Sequence, residues 1–456
     1  MVRKSVASIA LGFFLVLLPA QLVLAGGGQE AAEQTEETPS INLLLISHPF
    51  VDAMEPLVPE FEEQFGIEVE MEVLAEQAGF EKLLADLSSQ TGTYDLFMTS
   101  PLQNWQYISG GWVEPLDGYI EDPDQTASDY DFDDFVDGIV DAGRWTGEPM
   151  EGVGEGDLYA LPINYESYLL AYRPSVLERE GITVPTTYEE LKVAVEQLQG
   201  VTGPDGAPIY PIITRFDKYW DLTYLTFGSM LQSYGVEFLD DQGNVAIDSA
   251  ASVQATEDFI ELISKGSPQG AGAFTWYEAL QGFASGQYVF SLFEADQFAA
   301  VYEDPEQSSI PDDVGYAMIP AGPDGDRKAG VWLWSMSMNS ASQDKESAWQ
   351  FLQWLTSKEI MIRTHLNGNM NPVRQSAWDD PEVAAMVRSW GEEEGQYLKV
   401  VQDTAEIAAL RFPPHPELTR MLDIWAEAIQ QSFYGQGSVQ ANLSAAKERI
   451  EATLAE

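Results

Sequence analysis

Between residues 41 and 98 the apolar residues change period four times, and that alternation limits what the chain can fold into more than any other feature. Residues 41–46 (INLLLI) read as a short buried strand, and residues 53–65 (AMEPLVPEFEEQF) have the spacing of an amphipathic helix that Gly66 would stop. Residues 67–73 (IEVEMEV) alternate like a half-exposed strand, 80–87 return to helix, and 94–98 (YDLFM) to a buried strand. Parallel neighbours cannot be joined by a tight turn, so strand, helix, strand, helix, strand means a parallel sheet with crossover helices. Ligands bind just beyond the strand ends of such sheets. That rule marks His48 after the first strand, and Thr99, Ser100 and Gln103 after the third.

The alternation persists. Helical spacing recurs at 253–263, 345–356, 416–433 and 439–454, and strand patterns at 158–163, 210–214, 287–292, 314–319 and 330–338. Thr187 and Glu190 frame a capping box that opens a helix through Leu198. No internal repeat is visible, and 456 residues are more than one core usually serves, so an α/β protein of two lobes is expected.

The first residues have a different character. Arg3 and Lys4, an apolar stretch at 6–18 and Val23-Leu24-Ala25 before Gly26 read as a secretory signal peptide over 1–25. Residues 26–40 (GGGQEAAEQTEETPS) read as a flexible acidic linker. The apolar stretch is short of the roughly 20 residues a spanning helix needs, so a secreted protein, periplasmic or extracellular, is expected. The chain has no cysteine, which leaves nothing for a lipid anchor, a disulfide or a thiolate metal site.

With 74 Asp+Glu against 22 Lys+Arg, the formal charge of −52 opposes binding to nucleic acid or anionic lipid. Disorder is opposed by 45% hydrophobic residues, including 12 Trp, 19 Tyr and 21 Phe. A surface this acidic suits a saline habitat, where counterions screen self-repulsion.

Catalytic motifs fail one by one. The glycine run at 152–156 (GVGEG) precedes a strand rather than linking strand to helix, and its acidic neighbours would repel phosphate. Asp122, Asp124, Thr126 and Asp133 approach calcium-loop spacing, but Ala127 stands where the turn needs Gly and Asp133 where it needs Glu. His48, His365 and His415 are too scattered for a zinc site, and no G-x-S-x-G elbow is present. No metal, no cofactor and no enzymatic activity are expected. Paired carboxylates are inevitable among so many acids, so a secreted carbohydrate-active enzyme stays open as an alternative, as does a chemosensory binding protein. Trp332 and Trp334, two apart in a strand-like run, point to the same side. They fit a packed core, as most aromatics do, or an indole wall against a sugar ring.

The run 161–200 (LPINYESYLLAYRPSVLEREGITVPTTYEELKVAVEQLQG) resembles the signature of the family 1 extracellular solute-binding proteins, the maltose-binding-protein-like sugar-binding subunits of ABC importers. Its Leu161-Pro162, Glu166, Gly181, Pro185-Thr186 and Glu190-Leu191 match, while Arg173-Pro174 and Tyr188 depart. Phe283-Ala284-Ser285-Gly286, Pro320-Ala321-Gly322-Pro323, Ala348-Trp349-Gln350-Phe351 and Asn371-Pro372-Val373-Arg374 are similar to later family motifs in the same order.

The resemblance implies a two-lobe, type II-like periplasmic-binding-protein fold with crossing hinge strands and an interlobe cleft. Lobe 1 would hold 41–163 and 335–387, lobe 2 would hold 164–331 and 388–456, and hinges would fall near 160–166, 330–335 and 385–411. It implies ligand contacts at Glu166, Asp296, Trp220 and Asp217, at His48, Ser100 and Gln103 of the first-lobe loops, at Arg411, and at Trp332 and Trp334 on a crossing strand. The implied partners are a small carbohydrate or polyol and ABC transporter permease subunits, with the protein itself a monomer.

Overall fold

The computed structural model describes residues 38–240, 242–369 and 371–455; the expected signal peptide and most of the linker lie outside the described residues. Strand β1 (Ser40–Ile46) pairs in parallel with β2 (Glu68–Leu74) on one edge and β3 (Leu96–Thr99) on the other, as the alternation predicts. Residues 53–65, however, do not form one helix. They divide between α1 (Pro49–Met54) and α2 (Val58–Phe65), joined by a 3-10 turn at Glu55–Leu57. Pro56 and Pro59 lack the N–H that would continue the ladder. Gly66 ends α2 at φ 68°, a left-handed conformation glycine takes without strain. Helix α3 (Glu76–Ser89) starts about a turn before the expected 80, and α4 (Pro101–Ser109) follows β3 directly.

A short antiparallel pair, β4 (Arg144–Trp145) and β5 (Asp157–Leu158), flanks the glycine run. Beyond it lies β6 (Leu161–Tyr172), twice the length of the strand expected at 158–163. The sequence reading stops there because Asn164, Glu166 and Ser167 interrupt the apolar run; the strand continues because all three are buried against polar partners. The remaining strands are β7 (Tyr210–Ile213), β8 (Tyr288–Ala295), β9 (Gly315–Met318), β10 (Ala329–Met338) and the two-residue β11 (Ala408–Ala409).

The sheet runs β2-β1-β3-β10-β6-β8-β7, with β11 beside β10 and β9 beside β6. Two strands belong to both halves. Strand β10 pairs with β3 through Ser335–Met338 and with β6 through residues 331–336, with a register shift at Trp334/Ser335. Strand β6 pairs with β10 over its first half and with β8 and β9 over its second.

A second irregularity shapes the site. Leu169 pairs with Glu294 and Leu170 with Leu292, so Phe293, at φ 57°, is an extra residue in β8. Such a bulge shifts the alternation by one. Glu294 and Leu292 would share a face in a regular strand; here they face opposite ways, and Glu294 turns toward the segment that follows β7.

Core packing follows the same logic. Leu43 and Leu45 of β1 join the main apolar core, while Leu44 points the other way into a smaller cluster with Leu83, Leu87, Phe97 and Tyr107. Both faces of β1 are therefore covered, which is why its sequence is continuous rather than alternating.

Candidate ligand-binding site

Where β6 and β10 pass between the halves, nine side chains close around a cavity of about 10 Å³, roughly the room of one water. They are His48, Glu76, Glu166, Arg215, Leu225, Trp276, Phe298, Trp332 and Trp334. Wider grooves lie outside it. One, of about 870 Å³, is lined by α3 and α4 residues facing Trp220, Asp423 and Arg449. Another, of about 470 Å³, shares His48 and Trp276 with the cavity.

Glu166 is the hub. Its Oε1 accepts from Trp334 Nε1 at 2.8 Å and from Gln297 Nε2, and its Oε2 accepts from the Tyr168 hydroxyl at 3.2 Å. His48 caps α1, its Nδ1 accepting from the Phe50 amide at 3.1 Å. Its Nε2 lies 3.4 Å from Glu166 Oε1 and 2.8 Å from Gln297 Nε2. Trp332 and Trp334 stand edge to face at 5.4 Å, and Trp332 stacks on Trp220 at 4.8 Å. The same-side placement read from the sequence holds, and both indoles line the cavity.

The guanidinium in the wall is engaged internally. Arg215 donates from Nη2 to Glu294 at 2.8 Å and from Nη1 to Asp221 at 3.2 Å, all three nearly inaccessible to solvent. Burial pushes both carboxyls up while the guanidinium opposes it. Glu76, in the first turn of α3, accepts from Trp276 Nε1 at 2.8 Å. Burial pushes its carboxyl up to about 8, with Asp221 and Glu166 adding and Arg215 opposing.

The family model described as bacterial extracellular solute-binding protein matches residues 48–362. The chain belongs to that family. The erythritol/L-threitol-binding protein of Mycolicibacterium smegmatis is 29% identical over 414 residues, covering 90% of this chain and 84% of its own length. A ribitol-bound ABC transporter solute-binding protein from Agrobacterium radiobacter superposes with a TM-score of 0.79 at 25% identity, over 91% of this chain and 98% of its own. Maltose-bound MalE3 of T. maritima superposes with a TM-score of 0.77 at 22% identity, over 91% and 99% of the two chains. The fold of this solute-binding protein is thus the two-lobed α/β fold of periplasmic sugar-binding proteins.

Of the ten residues singled out in the sequence, His48, Glu166, Trp332 and Trp334 meet at the cavity, and Trp220 backs Trp332 from the outer groove. Asp296 sits behind the wall, accepting from Ser167 Oγ at 2.6 Å and from Asn371 Nδ2 at 2.7 Å. Ser100 bonds to Gln103, which lines the outer groove. Asp217 is half-buried beside Asp221, away from the cavity. Arg411 lines a separate small cavity with Phe238, Phe412 and Trp425 and donates to the Ile407 carbonyl at 2.7 Å.

The sequence reading missed Glu76, Trp276, Phe298 and Gln297. Trp276 and Glu278 do carry a local sign, since Thr275 and Glu278 form a second capping box that fixes where the helix Trp276–Ala284 begins. Among the described residues, no group of three or more His, Asp or Glu is placed to hold a metal ion.

Proposed function

We propose that this protein captures a small, neutral, polyhydroxyl ligand, a sugar or sugar alcohol, between its lobes and delivers it to the permease of an ABC importer. The observation that carries this reading is the Glu166 carboxylate at the edge of two perpendicular indoles. Flat faces cover C–H surfaces, and a carboxylate with rigid donors around it can trade those bonds for ligand hydroxyls. An anionic ligand is disfavoured because Arg215 already faces two carboxylates, so the cavity lining offers such a solute no unpaired positive charge. The relatives named for erythritol and L-threitol and crystallised with ribitol support an acyclic polyol of four or five carbons over a disaccharide.

The lobe boundaries expected from the sequence, 41–163 with 335–387 and 164–331 with 388–456, belong to this proposal. It gains support from the shift at Trp334/Ser335 and from β11 joining β10 at Ala329 and Gly330. Hinges near 160–166, 330–335 and 385–411 would let the lobes part and close on ligand, excluding water. The protein acts here as an exported, non-lipidated monomer without catalytic activity. Calorimetry with tetritols, pentitols, hexitols, hexoses and maltose tests the reading, and binding of an amino acid with none of these overturns it. Loss of polyol uptake on deleting the gene tests transport.

A further inference from the structure

We propose that Glu76 makes ligand capture proton-coupled, its carboxyl taking up one proton as the lobes close. The inference rests on the capture reading above. It starts from where Glu76 sits: α3 packs on β1 and β2, yet the Glu76 side chain crosses to the other half of the sheet. There Trp276 Nε1, on a helix packed against β8, donates to Oε2 at 2.8 Å. The Glu76 amide donates to the Tyr277 hydroxyl at 3.2 Å, and that hydroxyl donates to the Ser47 carbonyl at 3.1 Å, so α3 is tied to the opposite lobe at two adjacent residues. Glu76 is 6% exposed in this arrangement. Parting the lobes would return it to water.

The charged and titratable groups facing Glu76 are mostly acidic. Asp221 and Arg215 face it from the segment after β7, Glu166 from β6, and His48 from the loop after β1. The Tyr219 and Tyr277 phenols are themselves pushed above their ordinary range, first by burial and then by Glu76. On the side of α3 itself, Glu72 of β2 is already paired with Lys82. Arg215, the cation that faces Glu76 from across the cavity, is shared with Glu294 and Asp221. A second negative charge beside Glu166 has the Trp276 N–H to settle on but no cation of its own, and burial outweighs that one bond, so the closed arrangement favours the protonated carboxyl.

The coupling has a definite sign. Glu76 titrates near its ordinary 4.5 when hydrated and near 8 when enclosed. Below the lower value both states hold the proton and closure is unaffected. Between the two values only the closed state holds it, so affinity falls as pH rises; above the upper value the loss is complete and the curve flattens. The protonated carboxyl also gains an O–H donor, which an ionised one lacks, for a ligand hydroxyl.

Calorimetry with erythritol as the probe, from pH 5 to 9, tests this. The expected result is a Kd that weakens tenfold or more between pH 5.5 and 8, with uptake of close to one proton at pH 6.5, read from buffers of different ionisation enthalpy. Glu76→Gln should flatten the pH profile and abolish the uptake. In the wild-type protein, erythritol at pH 6.5 should add a carboxylic-acid C=O band to the infrared difference spectrum, a readout that survives if the variant does not fold. A pH-independent Kd, uptake that persists in the variant, or no new band each overturns the coupling while leaving capture intact. Absence of binding by every polyol at every pH overturns the capture reading, and the coupling with it.

Discussion

Glu166 and Ser167 are neighbours on β6 but work on opposite faces of it, and two of the three acidic candidates of the sequence, Glu166 and Asp296, separate along that line. Glu166 faces the cavity, where its bonds come from side chains with aromatic or amide bodies: Trp334, Tyr168 and Gln297. Ser167 faces the rear, where its amide and hydroxyl both donate to Asp296. Asp296 also accepts from Asn371, which in turn donates to the Tyr165 carbonyl of the same strand. In the proposed capture one carboxylate exchanges partners with a ligand; the other is a strut that fixes the strand carrying it. Successive strand residues point to opposite faces, so a shift of one position exchanges the two roles.

That contrast is open to direct attack. The largest effect is expected at Glu166→Ala. Losing a carboxylate hub among rigid donors should weaken polyol binding by about 100-fold, near 3 kcal/mol, with the far-ultraviolet circular dichroism unchanged. Asp296→Ala should instead lower unfolding stability by about 3 kcal/mol in urea titrations, because it leaves buried donors unsatisfied, and should change affinity less than tenfold. If the two variants exchange these phenotypes, the assignment of faces is wrong.

Asp296 also gives a pH signature. Burial pushes its carboxyl up to about 7, with the Ser167 and Asn371 bonds opposing. A raised carboxyl lends its stability below the ordinary value near 3.8 and loses it as pH rises through the native one. Asp296→Asn should therefore gain stability relative to wild type between pH 4 and 7 and hold that gain above, measured by urea midpoints at each pH. Trp334→Phe keeps the ring but deletes the Nε1–H bond to Glu166, an expected loss of about tenfold in affinity. The smallest effect is expected at Arg411→Ala, under about threefold by calorimetry, since Arg411 lines a different cavity.

Local patterning made much of this molecule legible in advance. The helix at Val439–Leu454 agrees at both ends, the helix at Lys345–Leu355 within one residue, and the capping box at Thr187 opens the helix Tyr188–Gln197. The failures have physical causes. Pro56 and Pro59 split a helix whose apolar spacing runs straight through them. The burial of Asn164, Glu166 and Ser167 depends on partners contributed from far along the chain, which no window of sequence displays.

The site divides in the same way. Resemblance and strand-end position were enough to point to His48 and Glu166, and the i, i+2 spacing to Trp332 and Trp334, because each of these depends on one strand and its end. Glu76 and Trp276 could not be found that way: they are 200 residues apart and meet only through the tertiary fold. Glu294 needed the bulge at Phe293 to turn it toward Arg215. By itself the sequence determined most of the elements, the parallel β1–β3 portion of a sheet that is mixed overall, and the side of the strand on which the indoles lie, since these follow from periods of a few residues. Only the tertiary structure decided which buried acid faces the cavity and which braces it, because burial and charge are properties of what surrounds a side chain.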